Sequence, residues 1–334
     1  MTSLLTNTAA MVALQTLNSI NSDLNTTNNR VSTGLRIAQA SDSAAYWAIA
    51  TTTASDNGAL GTVQDALAIG KSTLDVVYNG LETTRESLQK IKELLVSARQ
   101  PGVNRMNVQV EINGLITDMV NKAGASVINE QNFLSVDTDD AAFNAMKAVV
   151  ASFERSASGI ALSTIDLDIT SIILVDADSA VDGHDGLLDK DRTAEGIAQV
   201  TIEGGETRDG ILALMTYDTN DADPTTLASP VGDLTDSAAD LAILEGFIQG
   251  VDAVLMDVIS AQNTVGVNLA RADSQLTFVD ALMDANSRAV GSLIDANMEE
   301  ESTKLRALQT QQQLSVESLS IANASAQNVL QLFR

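Results

Sequence analysis

Cysteine is missing from this sequence of 334 residues, which contains three prolines and one histidine and only 3% aromatic residues. Without cysteine the chain cannot form a disulfide, a thiolate nucleophile or a cysteine-ligated metal site. The scarcity of proline permits long helices, because proline breaks a helix interior. The scarcity of aromatic residues argues against a thick aromatic core.

The motifs of common catalytic sites are missing as well. The lone His184 cannot complete a His-Glu-x-x-His zinc site, and no Gly-x-Ser-x-Gly elbow accompanies it for a catalytic triad. No phosphate-binding glycine pattern follows a predicted strand at Gly204-Gly205. We therefore expect no enzymatic activity, no cofactor and no metal centre.

One acidic segment offers oxygen ligands for a hard cation. Its carboxylates are Asp176, Asp178, Asp182, Asp185, Asp189 and Asp191. Their spacing does not fit the EF-hand pattern. We favour a solvated acidic loop, and a weak calcium site is the alternative.

Acidic residues outnumber basic ones by 44 to 19, which gives a net charge of −25. This balance argues against nucleic acid and anionic lipid as partners. Residues 1–136, 137–245 and 246–334 carry net charges of −2, −18 and −5. The middle of the chain is therefore predicted to be solvated and to face outward.

Long apolar segments are absent too. No run of about 18 apolar residues is present, so we expect no membrane insertion. The first residues, Met1 to Asn7, lack the basic start and apolar run of a secretory signal. If the chain is exported, we expect export without a cleaved signal peptide.

Two long heptad patterns flank the acidic middle and predict coiled-coil packing of long helices. In the first, leucines recur at 60, 67, 74, 81, 88 and 95, and the second runs from Leu241 to Leu293. Pro101-Gly102 should end the first helix, and a further helix should present Val108, Ile112, Leu115 and Met119 on one face. We expect these central helices to pack within one chain.

The middle resembles a small mixed α/β region. Residues 147–155 and 160–168 alternate as two strands around Ser156-Ala-Ser-Gly159 and predict a hairpin. Further strands are predicted at 172–175, 199–203 and 211–217. The predicted fold class is mainly α, with an inserted α+β domain and long helices from both chain ends packed together.

The two chain ends are nearly uncharged, since residues 1–29 and 307–333 contain one charged residue each, Asp23 and Glu317. Both keep an apolar heptad, and ordering about 60 such residues costs on the order of 60–120 kcal/mol. A two-helix hairpin buries too little surface to offset this cost alone. We therefore expect the ends to fold on assembly with other copies, in contacts that extend a helical filament. Docking of both ends onto the body of the same chain is the alternative.

The terminal residues also resemble a known family. Ser3-Leu-Leu-Thr-Asn7 and Arg30-Val-Ser-Thr-Gly-Leu-Arg-Ile37 resemble the N-terminal signature of bacterial flagellins, and Ser320-Ile-Ala-Asn323 and Gln327-Asn-Val-Leu330 resemble the C-terminal signature. The resemblance covers residues 1–135 and 240–334. Tyr46-Trp47 is similar to flagellins of the rhizobial, alphaproteobacterial branch.

The resemblance implies a subunit of the flagellar filament that polymerises with itself, or in a mixture with other flagellins, outside the cell. It implies as partners the flagellar export apparatus with its chaperone, the filament cap and the hook-junction proteins. The resemblance also implies host immune receptors as partners, which in this family bind residues 30–50 in plants and residues 88–94 in animals. Ser43 and Tyr46-Trp47 depart from the family pattern, so we expect altered recognition. A hook–filament junction protein is the alternative within this resemblance, and a secreted calcium-binding surface protein is the alternative outside it.

The predicted layers are an inner layer of residues 1–34 and 301–334, a connecting spoke of 35–45, a helical rod of 46–136 and 241–300, and an acidic outer domain of 137–240. Apolar positions at the two ends are predicted to make the assembly contacts: Leu14, Leu17, Leu24, Val31, Leu35, Leu305, Leu308, Leu314, Leu319, Ile321, Val329, Leu330 and Phe333. The resemblance places Arg36, Asp42, Tyr46 and Trp47 in or beside the connecting spoke.

Overall fold

The structure is a computed structural model that describes residues 7–128, 130–138, 140, 143–156, 159–176, 186–192, 194, 197, 200–201, 207–208, 210–215, 217–218 and 227–332. Helices dominate these residues. They are α1 (Thr8–Thr33), α2 (Ala44–Ala98), α3 (Arg105–Ala125), α4 (Ala238–Ile294) and α5 (Met298–Leu332). The prediction of a mainly helical chain with a strand-containing middle is confirmed.

The strands lie between α3 and α4 and are mostly short. They are β1 (Val127–Ile128), β2 (Gln131–Asn132), β3 (Ser135–Val136), β4 (Met146–Ser156), β5 (Gly159–Asp168), β6 (Val175–Asp176), β7 (Val200–Thr201), β8 (Thr207–Arg208), β9 (Tyr217–Asp218) and β10 (Leu227–Ala228). They pair two by two, as β1–β2, β3–β6, β4–β5, β7–β8 and β9–β10, and the β3–β6 pair is parallel.

The chain divides into two compact units. The first unit contains the residues up to Gly61 together with those from Ala281 onward, and the second contains Thr62–Asp280. Helices α2 and α4 contribute residues to both units. The more detailed layer boundaries predicted from the sequence remain a prediction.

Local signals explain where α1 begins and ends. The Asn7 side chain accepts a hydrogen bond from the Ala10 amide at 3.1 Å and caps the free amides of the first turn. Gly34 ends the helix in the left-handed conformation, with φ of 72°, and its amide donates to the Arg30 carbonyl. Asn104 caps α3 in the same way, by accepting from the Asn107 amide.

The heptad positions of the second unit form its core, as predicted. In α2, the leucines at 67, 74, 81, 88 and 95 are 0–1% exposed. In α4, Leu244, Val251, Val258, Val265, Ala272 and Val279 are fully buried. Helix α3 adds Ile112, Ile116 and Met119, so the helix predicted after Pro101-Gly102 is confirmed. The prediction that the central helices pack within one chain therefore holds in this unit.

A buried arginine joins three segments where α2 ends. The Arg105 side chain donates to the Ala98 carbonyl at 2.8 Å and to the Leu234 carbonyl at 3.0 Å, and it forms an ion pair with Asp236 at 2.6 Å. The last turn of a helix leaves carbonyls without intrahelical partners, and this guanidinium satisfies one of them. The side chain thereby holds the end of α2, the start of α3 and the segment before α4 together.

A polar contact from a buried heptad position joins α4 to α2. The Gln262 side-chain amide, on a heptad position of α4, donates to the Glu82 carboxylate of α2. Arg85 donates to the same carboxylate through two nitrogens. The hydrogen bond from Arg85, followed by that from Gln262, lowers the pKa of Glu82, and the same Glu82 contact raises the pKa of Arg85.

The predicted hairpin is confirmed in the middle of the chain. Strands β4 and β5 pair antiparallel from Met146↔Asp168 to Ser156↔Gly159, with an irregularity between Val150 and Ser152. Ile165 of β5 is buried with Ala151, Leu67 of α2 and Ala272 of α4 in a small second core.

Three other strand predictions are confirmed only in part. A strand is predicted over residues 211–217, but Gly210–Leu214 form a 3-10 helix in which Ile211 and Leu214 are fully buried, and Tyr217 belongs to β9. A short apolar run buried on all sides carries no periodicity that separates strand from helix. Of the predicted strand 172–175, Ile172 lies in a turn, residues 173–174 have no regular structure, and Val175 belongs to β6. Of residues 199–203, Val200–Thr201 form β7 and the others lie outside the described residues.

Candidate assembly surfaces

Helices α1 and α5 pair along their length, and three polar contacts show that they run antiparallel. The Asn7 side chain donates to the Ala322 carbonyl at 3.0 Å, and Gln312 donates to the Asn21 side chain at 2.7 Å. The third contact is an ion pair between Arg30 and Glu301 at 3.1 Å. Residues later in α1 therefore contact residues earlier in α5, as two antiparallel helices require.

The inner faces of this helix pair use most of the predicted heptad positions. Leu308 is buried, and Leu17, Leu24, Val31, Leu305 and Leu319 are half-buried. Ile20 and Thr27 are buried on α1, although they are not among the predicted contact residues. The heptad stripes of the two ends therefore pack on each other within the chain.

A second set of predicted positions points away from the helix pair. Leu14 is 51% exposed, Leu314 is 65% exposed and Ile321 is 61% exposed. Other large apolar side chains of the two helices are also exposed, namely Met11, Val12 and Val316. We call these six residues the outward terminal stripe. Three of its members, Leu14, Leu314 and Ile321, belong to the predicted contact set and are open to another molecule.

Three predicted contact positions near the C-terminus are not placed by the structure. Val329 and Leu330 belong to the backbone of α5, but their side chains lie outside the described part of the chain, as does Phe333.

A shallow groove runs between the first half of α1 and the facing part of α5. It has a volume of about 470 Å³ and is lined by Thr8, Ala9, Val12, Ala13, Thr16, Ser315 and Ser318. Every lining residue is uncharged, and most have short side chains. Short side chains let an apolar group of a neighbouring helix approach closely.

The predicted spoke is held by backbone hydrogen bonds to the end of α4. Leu35 forms an isolated antiparallel bridge with Asp295, and the Arg36 amide donates to the Ile294 carbonyl at 2.6 Å. The Arg36 guanidinium donates to the Leu293 carbonyl at 2.8 Å. An arginine here satisfies one of the carbonyls that the last turn of α4 leaves free.

The remaining spoke residues divide into a turn and an exposed aromatic pair. The Asp42 carboxylate accepts the amides of Ala38 and Gln39 at 3.0 and 3.2 Å and shapes the turn before α2. Tyr46 and Trp47 are 49% and 38% exposed in the first turn of α2. Arg36, Asp42 and Tyr46 line one cleft of about 360 Å³.

Sequence reasoning missed the polar contacts that fix the pairing of the terminal helices. Arg30 belongs to the N-terminal signature of the family and Glu301 lies near the C-terminal one, and neither is a predicted contact residue. One Glu301 oxygen accepts from Arg30, and the other is buried without a hydrogen-bond partner. The only signal for this ion pair in the sequence was that each of the two nearly uncharged stripes carries a charged residue, Arg30 on one and Glu301 on the other, and that the two charges are opposite.

Ligand chemistry has little support among the residues that the structure describes. There, no group of three or more histidine, cysteine, aspartate or glutamate side chains is placed to hold a metal ion. The structure describes the acidic segment only at its two ends. There the Asp189 carboxylate accepts a hydrogen bond from the Asp176 amide at 2.7 Å. The residues between the ends, which include His184, Asp178, Asp182 and Asp185, lie outside the described residues. Within the described ranges, no helix combines the length and the apolar character that a membrane crossing requires.

Comparison with known proteins gives matches at both ends of the chain. Residues 4–138 match the bacterial flagellin N-terminal helical region, and residues 248–333 match the bacterial flagellin C-terminal helical region. Flagellin C of Rhizobium meliloti strain 1021 is 39% identical over 338 residues, and flagellin A of Rhizobium meliloti is 36% identical over 401 residues. A flagellin of Brucella melitensis is 34% identical over 335 residues. In all three comparisons the match covers the full length of both chains.

The fold defines a class of protein that combines paired terminal helices, a helical bundle and a strand-containing insertion between them in the sequence. The chain belongs to the bacterial flagellin family. The predicted resemblance to rhizobial flagellins is confirmed.

Proposed function

We infer that the chain is a structural subunit that polymerises into the bacterial flagellar filament, the propeller for swimming. The observation that carries this inference is the outward terminal stripe, which exposes six large apolar side chains within residues 1–29 and 307–333, where the chain is nearly uncharged. Large apolar side chains exposed in such number favour a protein interface. Membership of the flagellin family identifies other copies of the chain as the partner.

The geometry of the terminal helices suits an open-ended contact. The stripe residues Leu314 and Ile321 stand on the face of α5 that turns away from α1, while the uncharged groove opens between the two helices. A protruding side chain and a groove at different places on one subunit make a heterologous contact. Such contacts extend a filament when the rotation between neighbours does not close a ring.

The family also supports an arrangement in layers. In this proposal the terminal helices form the inner layer, residues 35–45 connect it to the helical rod, and the acidic residues 137–240 face the solvent. The placement is favoured by charge, since the middle carries most of the negative charge and like charges repel when they are packed together.

The location and the remaining partners follow from the same family. We propose that the filament is extracellular. We further propose the export apparatus with its chaperone, the filament cap, the hook-junction proteins and, with altered recognition, host immune receptors as partners. Neither the comparisons nor the described residues favour the hook–filament junction alternative. A structural role without catalysis accords with this family.

Two variants of one exposed position test the function. Leu314→Asp and Leu314→Asn place side chains of nearly equal size at a site that is 65% exposed in the single chain. The charged variant should keep the helix content of the unassembled protein and fail to extend filament seeds, because assembly would bury an unpaired carboxylate. The neutral variant should extend seeds more slowly than the parent chain but still form filaments.

Negative-stain electron microscopy and sedimentation after seeding provide the measurement. Normal filaments from Leu314→Asp would show that the outward terminal stripe stays in contact with solvent. If the parent chain itself forms no filaments under any seeding condition, the filament function is wrong.

A further inference from the structure

The methionine side chains of this protein divide into buried and exposed groups. The sequence has nine methionines and no cysteine, so a thioether is the sulfur group that an oxidant can attack. Met119 is fully buried in the core of the second unit. Five others are 43–63% exposed, namely Met11, Met106, Met146, Met256 and Met298. A small oxidant can therefore reach these five sulfur atoms, while Met119 is shielded.

Met11 is the member of the exposed group that lies in the outward terminal stripe. It is 56% exposed on α1 and stands three residues before Leu14, which places both side chains on one face. Val12, the next residue, lines the groove between α1 and α5. The buried Ile20 is nine residues after Met11, about 180° around the helix. The Met11 thioether therefore points away from the helix pair, on the surface that a neighbouring copy covers in the proposed filament.

Oxidation of this thioether replaces an apolar group by a polar one. In the reaction the Met11 sulfur attacks one oxygen of hydrogen peroxide, the O–O bond breaks and an S–O bond forms. The other oxygen leaves as water with both peroxide protons. Sulfur loses two electrons and the peroxide gains them, so no further reactant is needed. The product is a methionine sulfoxide, whose oxygen is a hydrogen-bond acceptor.

The position of Met11 makes such an oxygen costly in the assembled state. The stripe residues beside it, Val12 and Leu14, have no side-chain donor, and the one charged residue among the first 29, Asp23, is an acceptor. A polar group that is covered without a hydrogen bond loses its water and gains no partner in exchange. In the free subunit the sulfoxide stays hydrated, because Met11 is more than half exposed.

We propose that Met11 is a site of peroxide oxidation that controls whether a free subunit can enter the filament. The proposal rests on the filament function inferred above and names a regulation of the outward terminal stripe. An oxidised subunit keeps its fold, since the modified side chain remains in solvent, but its stripe no longer makes a dry apolar contact. In a grown filament the neighbouring copy covers Met11, so the oxidant acts on subunits before they are incorporated.

The distribution of sulfoxides between filaments and solution tests the proposal. Full-length protein is partly oxidised with hydrogen peroxide, freed of peroxide with catalase and mixed with filament seeds, and the filaments are sedimented. Peptide mass spectrometry then gives the oxidised fraction of each methionine in pellet and supernatant. Met11 sulfoxide should be about tenfold rarer in the pellet, since a covered polar group weakens the contact. Met106 and Met298, which are similarly exposed but lie outside the stripe, should be oxidised equally in both fractions.

Two variants of the same position separate its polarity from oxidation elsewhere in the chain. Met11→Gln places a polar amide of similar length there without an oxidant, and Met11→Leu keeps the position apolar without sulfur. Both unassembled variants should melt within a few degrees of the parent chain, because the position is exposed. The critical concentration for filament growth should be about tenfold higher for Met11→Gln than for Met11→Leu. After identical peroxide treatment, Met11→Leu should assemble to a greater extent than the control Met298→Leu.

The outcomes separate this regulation from the filament function itself. Equal fractions of Met11 sulfoxide in pellet and supernatant would overturn the proposal, as would equal critical concentrations for the two Met11 variants. If peroxide oxidises Met11 as slowly as the buried Met119, Met11 is covered in the free subunit and the proposal is wrong as well. Failure of the untreated parent chain to assemble would instead reject the filament function, and this regulation with it.

Discussion

Glycine at two positions of the bundle illustrates how single residues set the packing. Gly80 of α2 is buried, and a Cβ atom there would overlap the Leu134 side chain, which is itself fully buried, and would meet the Ser126 hydroxyl at 3.3 Å. Gly114 of α3 has nothing within 4 Å of the corresponding position. The first glycine allows the segment after α3 to contact α2 closely, and the second has no such neighbour.

Alanine at these two glycines should have opposite effects on stability. Gly114→Ala should raise the free energy of unfolding by about 0.5–1 kcal/mol, because alanine is the better helix former. Gly80→Ala gains the same propensity but overfills a packed site, which typically costs about 1–3 kcal/mol, so it should lower the melting temperature. Thermal unfolding of the full-length chain, followed by circular dichroism, measures both. An equal rise for the two variants would mean that Leu134 moves aside freely.

At the scale of elements, the junction after α2 depends on one side chain. Arg105 is buried and bonds to Ala98, Leu234 and Asp236, whereas Arg99 pairs with Glu245 through two half-exposed side chains. Hydrogen bonds to a buried charged group are worth more than an exposed ion pair.

Removal of each arginine should therefore give different losses of stability. Arg105→Ala leaves the Ala98 and Leu234 carbonyls without this donor and should cost about 2–4 kcal/mol. Arg99→Ala should cost less than about 1 kcal/mol, because it removes a surface ion pair. Urea unfolding of both variants gives the two values. Similar losses for the two would show that water replaces the Arg105 contacts at little cost.

The elements with a clear hydrophobic periodicity are the ones that could be predicted from the sequence. The heptad leucines of α2 and the alternation of residues 147–168 each carry a periodicity that one structure satisfies, and both predictions are confirmed. The run from Ile211 to Leu214 has no such periodicity because it is buried on every side, and its 3-10 helix was missed.

The candidate site was predicted only as a set of positions. Sequence indicated that Leu24 and Leu314 both lie on apolar stripes in nearly uncharged segments at the two ends of the chain. It could not indicate that Leu24 packs within the chain while Leu314 is exposed, because that difference depends on how α1 and α5 face each other. The relative orientation of α1 and α5 is fixed by the hydrogen bonds of Asn7, Asn21 and Arg30, whose partners are around 300 residues away in the sequence.

At the scale of the whole molecule, the unequal distribution of charge and apolar surface predicts how the subunit changes on assembly. The terminal helices have an exposed apolar stripe and few charges, so their free energy should fall most when neighbouring copies cover them. The central bundle has a complete core of its own.

A shortened chain of residues 36–300 tests this prediction beside the full-length chain. The full-length chain should gain helix content as filaments form, because the ends order on assembly. The shortened chain should keep a cooperative melting transition and stay unassembled after seeding. Circular dichroism and electron microscopy of the same samples provide the measurement. Full-length protein with no gain of helix during assembly would show that the ends are already ordered in the free subunit.

The antiparallel pairing of α1 with α5 has a further consequence for the order of folding. The Asn7 side chain donates to the Ala322 carbonyl, so α1, the first helix of the chain that the structure describes, packs against α5, the last one. Contacts between such distant positions form late, because the closure of a long loop must come first. On a ribosome, where the N-terminus emerges first, α1 must wait for the synthesis of almost the entire chain. Synthesis of the C-terminal helix is thus a precondition for the pairing that assembly completes, and a chain cut short before α5 would leave α1 permanently without its partner.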